Sequence, residues 1–97
     1  IMPKFYVVNR GFKAESFAIS VSRNLRLNDH KVELDLSSAA FSKQLKRADR
    51  SGASWAILIG DSEAEENEVI LKNLRITSKE VSKEERIKLN CLIQRFS

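Results

Sequence analysis

Two periods of apolar and polar residues run along this chain, and the switches between them divide it into elements. Phe5-Tyr6-Val7-Val8 is an unbroken apolar run ahead of Asn9-Arg10-Gly11 and reads as a buried first strand. Between Lys13 and Leu27 the residues Ala14, Phe17, Ala18, Val21 and Leu25 recur at helical spacing, with Glu15, Arg23 and Arg26 off the stripe, which predicts an amphipathic helix. Asn28-Asp29-His30 makes a turn, and Lys31 to Leu36 then alternates polar and apolar at period two. That alternation predicts a strand with one wetter face, near a sheet edge. From Phe41 the helical period returns: Phe41, Leu45 and Ala48 share one face, and Lys43, Lys46, Arg47 and Arg50 lie on the other. Ser37 or Ser38 is placed to cap that helix, and Gly52 to end it in the left-handed conformation. Residues 54–59, with Trp55-Ala56-Ile57-Leu58-Ile59, read as a buried third strand.

An acidic loop follows, carrying Asp61, Glu63, Glu65, Glu66 and Glu68. Val69-Ile70-Leu71-Lys72 and Ile76-Thr77 read as two further strands, paired through a turn at Asn73-Leu74-Arg75. Ser82-Lys83-Glu84-Glu85 has the spacing of a capping box and opens a last helix with Leu89, Leu92, Ile93 and Phe96 on one stripe. The order is β-α-β-α-β-β-β-α. Helices between the first three strands imply right-handed crossovers and parallel pairing, whereas the later link is too short for a crossover, so a strand there is antiparallel. The expected fold class is α/β, a mixed sheet of about five strands with three flanking helices.

Composition narrows the function. The 97 residues suit one domain with one core, and 42% hydrophobic with 31% charged residues is neither a disordered nor a membrane-embedded composition. The longest apolar run falls far short of the roughly 20 residues that cross a bilayer. The net charge of +4 is unevenly placed, with cations in 43–50 and acids in 61–68. Such polarity suits a partner offering phosphate and base-edge groups, or else two solvated faces. The single cysteine excludes an internal disulfide, and Cys91, among Leu89, Leu92 and Ile93, reads as a core or near-core thiol in a reducing compartment. One histidine, His30, in a turn that reads as solvated, and one cysteine cannot close a metal site alone, and no glycine-rich phosphate loop or nucleophile–base pair is present. Trp55 lies inside an apolar run, which favours packing over base stacking. Binding is therefore expected rather than catalysis, with the basic helix positioning phosphates and Glu63, at the exit of a buried strand, accepting from a base.

The runs Val32-Glu33-Leu34-Asp35-Leu36, Phe41 to Ala53, Ile57-Leu58-Ile59-Gly60-Asp61-Ser62-Glu63 and Val69-Ile70-Leu71-Lys72-Asn73-Leu74, in this order and spacing, resemble the C-terminal anticodon-binding domain of class II aminoacyl-tRNA synthetases, most similarly the histidyl type. The resemblance covers nearly the whole chain. It implies a three-layer fold and binding of the tRNA anticodon stem-loop by the loop edge of the sheet and the basic helix. By the same resemblance Glu63 matches the acid near the anticodon bases, Lys72 a basic position approaching the same loop, and Ser37 and Ser38 the loop facing the anticodon. Lys43, Gln44 and Arg47 match helix positions turned towards RNA. Asn67 departs from the family pattern where a glycine makes the turn, and Arg75-Ile76-Thr77-Ser78 lacks the usual glycine turn. The catalytic motifs are missing, so the expectation is one domain, residues 1–97, cut from a longer cytoplasmic, homodimeric enzyme. ATP and Mg²⁺ would serve that parent enzyme, with no cofactor in this domain. The alternatives are a threonyl-, prolyl- or glycyl-type domain, a synthetase-like regulatory module without tRNA reading, and a small interaction domain with no nucleic-acid partner.

Overall fold

The chain runs β1 (Phe5–Asn9), α1 (Phe12–Leu27), β2 (Val32–Leu34), α2 (Phe41–Ser51), β3 (Trp55–Ile59), α3 (Asp61–Glu65), β4 (Glu68–Asn73), β5 (Glu84–Lys88) and α4 (Leu89–Arg95). The computed structural model describes residues 2–75 and 84–97. One five-stranded sheet has the order β2-β1-β3-β4-β5. β1 pairs in parallel with β2 and β3, while β4 is antiparallel to β3 and to β5.

The central position of β1 explains its unbroken apolar run. Phe5 and Val7 enter one core with Ala14, Ala18, Val21 and Leu25 of α1, Ile57 and Ile59 of β3, Val69 and Leu71 of β4 and Leu92 of α4. Tyr6 and Val8 enter a smaller core on the other face with Ala48 and Ala53, closed by Phe41, Leu45 and Leu58. A strand buried on both faces has no polar side to alternate with. Helices thus lie on both faces of the sheet in three layers, with α2 packed over β1 rather than over β4 and β5.

Gly11 starts α1 with φ 127°, and a Cβ there would stand 2.3 Å from Asp61 Oδ1. That approach lets Asp61 accept from the backbone N–H of Lys13 at 3.0 Å and of Ala14 at 2.9 Å, so an acid from α3 caps α1. Gly52 ends α2 with φ 80°, as its placement after the basic helix predicts.

Several expectations are corrected. Neither Ser37 nor Ser38 caps α2: its N-cap is Ala40, with no side-chain bond, because both serines are engaged upstream. The acidic loop contains a short helix, α3, making four helices among the described residues rather than three. Glu84 and Glu85 do not open a helix but lie in β5, paired with Lys72 and Leu71. The proposed strand Ile76-Thr77 falls outside the described residues, as do Ser82 and Lys83 of the supposed capping box. Cys91 is exposed: the inward stripe of α4 is Leu89, Leu92, Ile93 and Phe96, and residue 91 falls on the opposite side of the helix. His30 is half-buried rather than solvated, its Nε2 donating to the Phe96 carbonyl at 2.8 Å and its ring edge-on to Phe5. Trp55 packs edge-on against Phe96, as a core residue should.

Candidate nucleic-acid interface

Because β1, β2 and β3 are parallel, their carboxyl ends meet at one edge of the sheet, where the connecting loops of α/β folds carry function. Asn9 stands in the middle of this edge, Asp35 on one side and Glu63 on the other.

Gln44 organises the middle. Its Oε1 accepts from the Asn9 N–H at 2.9 Å, and its Nε2 donates to the Asn9 carbonyl at 2.8 Å and the Ala39 carbonyl at 2.7 Å. The side-chain amide thus completes the backbone bonding of the last residue of β1, and Gln44 is 0% exposed. The expectation that Gln44 turns towards RNA is corrected on that ground.

The Asp35 corner is a buried carboxylate surrounded by donors. Oδ2 accepts from Tyr6 Oη at 2.7 Å, and Oδ1 accepts from the Ser37 hydroxyl at 2.6 Å and the Ser37 N–H at 2.9 Å. Arg47 Nη1 is 3.4 Å from Oδ2 and donates to Ser37 Oγ at 2.7 Å. Burial alone would raise the Asp35 carboxyl, but the bonds from Ser37, Tyr6 and Arg47 outweigh it and hold the group below its ordinary value. Burial and the bond to Asp35 raise the Tyr6 phenol in turn. Ser38 has a positive φ of 59° and donates to Glu15 Oε2 at 3.1 Å, which fixes the loop entering α2.

At the opposite corner Glu63 is 8% exposed. Its Oε1 accepts from the Gly60 N–H at 2.7 Å, closing the first turn of α3, and its Oε2 accepts from Ser62 Oγ at 2.7 Å and Arg86 Nη1 at 2.9 Å. Burial raises this carboxyl as well, and the same bonds hold it below its ordinary value. Arg86 also donates from Nε to Glu68 at 2.6 Å, and Lys88 reaches Glu68 at 3.2 Å. Both Glu63 oxygens thus carry protein donors, one on Oε1 and two on Oε2, which leaves a single acceptor position for a base.

Lys43, Lys46 and Arg50 occupy the outer side of α2, exposed, and form no ion pair among the described residues. Of the positions expected to meet RNA, Ser37, Ser38 and Arg47 gather at one corner, Glu63 forms the other, and Lys43 stands on the flank. Lys72 is set apart: it lies four residues along β4 from Glu68, about 13 Å, facing Glu84 at 4.0 Å. Asp35, Asn9, Glu68 and Arg86 belong to the same edge without having been expected there. Asp35 ends an alternating strand and reads as its wet face, and Arg86 sits in a stretch with one apolar residue. No group of three or more potential metal ligands forms among the described residues, and no described helix is long and apolar enough to cross a membrane.

The model of a family described as the anticodon binding domain matches residues 4–96. The histidine–tRNA ligase of Synechococcus sp. (strain WH7803) is 61% identical over 72 residues, which are 74% of this chain and 16% of that protein. The chain therefore spans about a sixth of the length of the curated relatives it matches. Among solved structures, apo histidyl-tRNA synthetase from S. aureus superposes with a TM-score of 0.82 at 32% identity, covering 98% of this chain and 23% of that one. The RNA binding domain of threonyl-tRNA synthetase from Cryptosporidium parvum superposes with a TM-score of 0.85 at 26% identity, covering 97% of this chain and 22% of that one.

Proposed function

We propose that this chain, which belongs to the anticodon binding domain family, grips the anticodon stem-loop of a histidine tRNA as part of a histidine–tRNA ligase. The observation that carries the RNA reading is the row of exposed cations on α2, without an ion-pair partner among the described residues, beside an edge of fixed polar groups. Lys43, with Lys46 and Arg50, takes backbone phosphates, a contact that confers affinity and salt dependence without sequence. Ser37, Ser38 and Arg47 present the loop-facing corner, Glu63 shapes the opposite one, and Lys72 approaches from the open sheet face. The identity with the Synechococcus ligase supports the histidyl assignment. The longer enzyme activates histidine with ATP and Mg²⁺ and esterifies it to tRNA, acting in the cytoplasm as a homodimer. This chain contributes tRNA affinity and anticodon identity to that reaction.

A threonyl-type domain is the second reading, supported by the likeness to the Cryptosporidium domain. Titrating the chain with fluorescent hairpins that differ only in carrying a histidine or a threonine anticodon separates the two. Tighter binding of the histidine loop, weakening steeply with added salt, is expected. Preference for the threonine loop overturns the histidyl assignment, and binding indifferent to salt overturns the phosphate grip.

A further inference from the structure

The face of the sheet that α2 covers over β1 continues outward across β4 and β5. Residues opposite one another in register share a face, so Val8, Leu58, Ile70 and Arg86 form one row across four strands. Exposure rises along it: Val8 is buried, Leu58 and Ile70 are half-buried, and Arg86 is exposed. The row is an apolar shelf, Leu58 and Ile70, that ends at a guanidinium.

That guanidinium is held still. Glu68 takes the Nε–H and Glu63 takes one Nη1–H, at 2.6 and 2.9 Å. Arginine has five N–H donors in a planar fork, so three remain without a partner among the described residues. Glu63 is itself fixed by Gly60 and Ser62, and Glu68 is shared with Lys88. The two acids therefore aim the fork and neutralise much of its charge. A phosphate contact needs charge and tolerates a mobile lysine. A fork of fixed direction beside an apolar shelf suits a flat group with two acceptors on one edge, as the O6/N7 edge of guanine offers.

We propose that Arg86 is a specificity-determining residue of this domain: a loop guanine lies on Leu58 and Ile70 and accepts two hydrogen bonds from Arg86, while Glu63 and Glu68 act as its positioning residues. The proposal rests on the reading of this chain as an anticodon-loop binder. It moves base discrimination at this corner from the Glu63 carboxylate, whose oxygens are engaged, to the arginine that it holds.

The test uses the whole chain and two hairpin probes, one with a histidine-anticodon loop and one in which each loop guanine is replaced by 7-deazaguanine, which lacks the N7 acceptor. The unmodified chain should bind the 7-deaza probe about tenfold more weakly. Arg86→Lys, which keeps the charge and removes the fork, should bind both probes equally and lose about tenfold on the parent loop. Glu68→Gln, which keeps Arg86 and loosens it, should fall between the two. Urea midpoints separate folding from recognition, because loss of a mere clamp lowers stability without making the probes equivalent. If Arg86→Lys retains the 7-deaza penalty, another residue reads the guanine and the proposal fails. If the unmodified chain does not distinguish the probes while Arg86→Gln only flattens the salt slope, Arg86 is a phosphate contact and the proposal fails. If the unmodified chain binds a scrambled loop as well as the histidine loop, the anticodon reading itself falls, and this proposal with it.

Discussion

Arg47 and Arg86 each reach a carboxylate buried at the same sheet edge, but on different terms. Arg47 is 3.4 Å from Asp35, an acid already supplied with donors by Tyr6 and Ser37. Arg86 lies 2.9 Å from Glu63, which Gly60 and Ser62 also supply, and 2.6 Å from a second acid, Glu68, of which it is the nearest partner. At the Asp35 corner the acid holds the fold together and the arginine is an accessory. At the Glu63 corner the acids hold the arginine. Charge and burial alike would grade the two pairs as equivalent; the second acid that Arg86 meets, and Arg47 lacks among the described residues, decides otherwise.

The largest consequence concerns the acids. Asp35→Ala strands the buried Tyr6 hydroxyl and releases the Ser37 turn, and should cost about 3 kcal/mol in a urea melt, the range of a lost charged hydrogen bond with a buried donor left unsatisfied. Glu63→Ala removes the bond to the Gly60 N–H while Arg86 keeps Glu68, and should cost about 2 kcal/mol. Equal losses, or the reverse order, would break the distinction between the two corners.

Acid should expose the same difference more gently. Both carboxyls are held below their ordinary values in the folded chain, starting from 3.8 for Asp35 and 4.5 for Glu63. Their contribution is fully present above those unfolded values and is lost as pH falls through the lowered folded ones. Urea midpoints should therefore hold from neutrality to about pH 5 and drop between about pH 4 and pH 2. Asp35→Asn should flatten that drop more than Glu63→Gln does, since more donors favour the charged form of Asp35.

The sequence discloses the strands and helices wherever burial imposes a period, and loses them where it does not. β1, α1, α2 and β3 touch a core along most of their length, so their apolar stripes are continuous. β5 is an edge strand with a single half-buried apolar residue, Ile87, and its Glu84-Glu85 mimics the third position of a helix cap. α3 is five residues long, too short to complete a helical stripe. The candidate site shows the same limit. The cations of α2 are legible because exposure leaves them as charge on a helix face. Gln44 lies between the apolar and basic faces of that helix, and only β1 brought alongside shows its amide bonded to Asn9. Asp35 and Arg86 acquire their roles from partners about 30 and 20 residues away in sequence, Tyr6 and Glu63, which no local pattern records.

The smallest effect on stability gives the sharpest test of division of labour along the edge. Arg47 is about half exposed and only the farthest donor to Asp35, so Arg47→Ala should cost less than about 1 kcal/mol of stability. Lys43→Ala should cost almost none, because Lys43 has no ion-pair partner among the described residues. Towards RNA the two should still differ. Lys43→Ala should lower the slope of log Kd against log salt by about one unit or less, equally for every hairpin, as the loss of one phosphate contact requires. Arg47→Ala frees Ser37 from the donor that orients its hydroxyl, so it should add to that slope change a loss that depends on the loop sequence. Identical effects of the two substitutions on every loop would make Arg47 another phosphate contact. The Asp35 corner would then serve the fold alone, and discrimination would fall to the corner that holds Arg86.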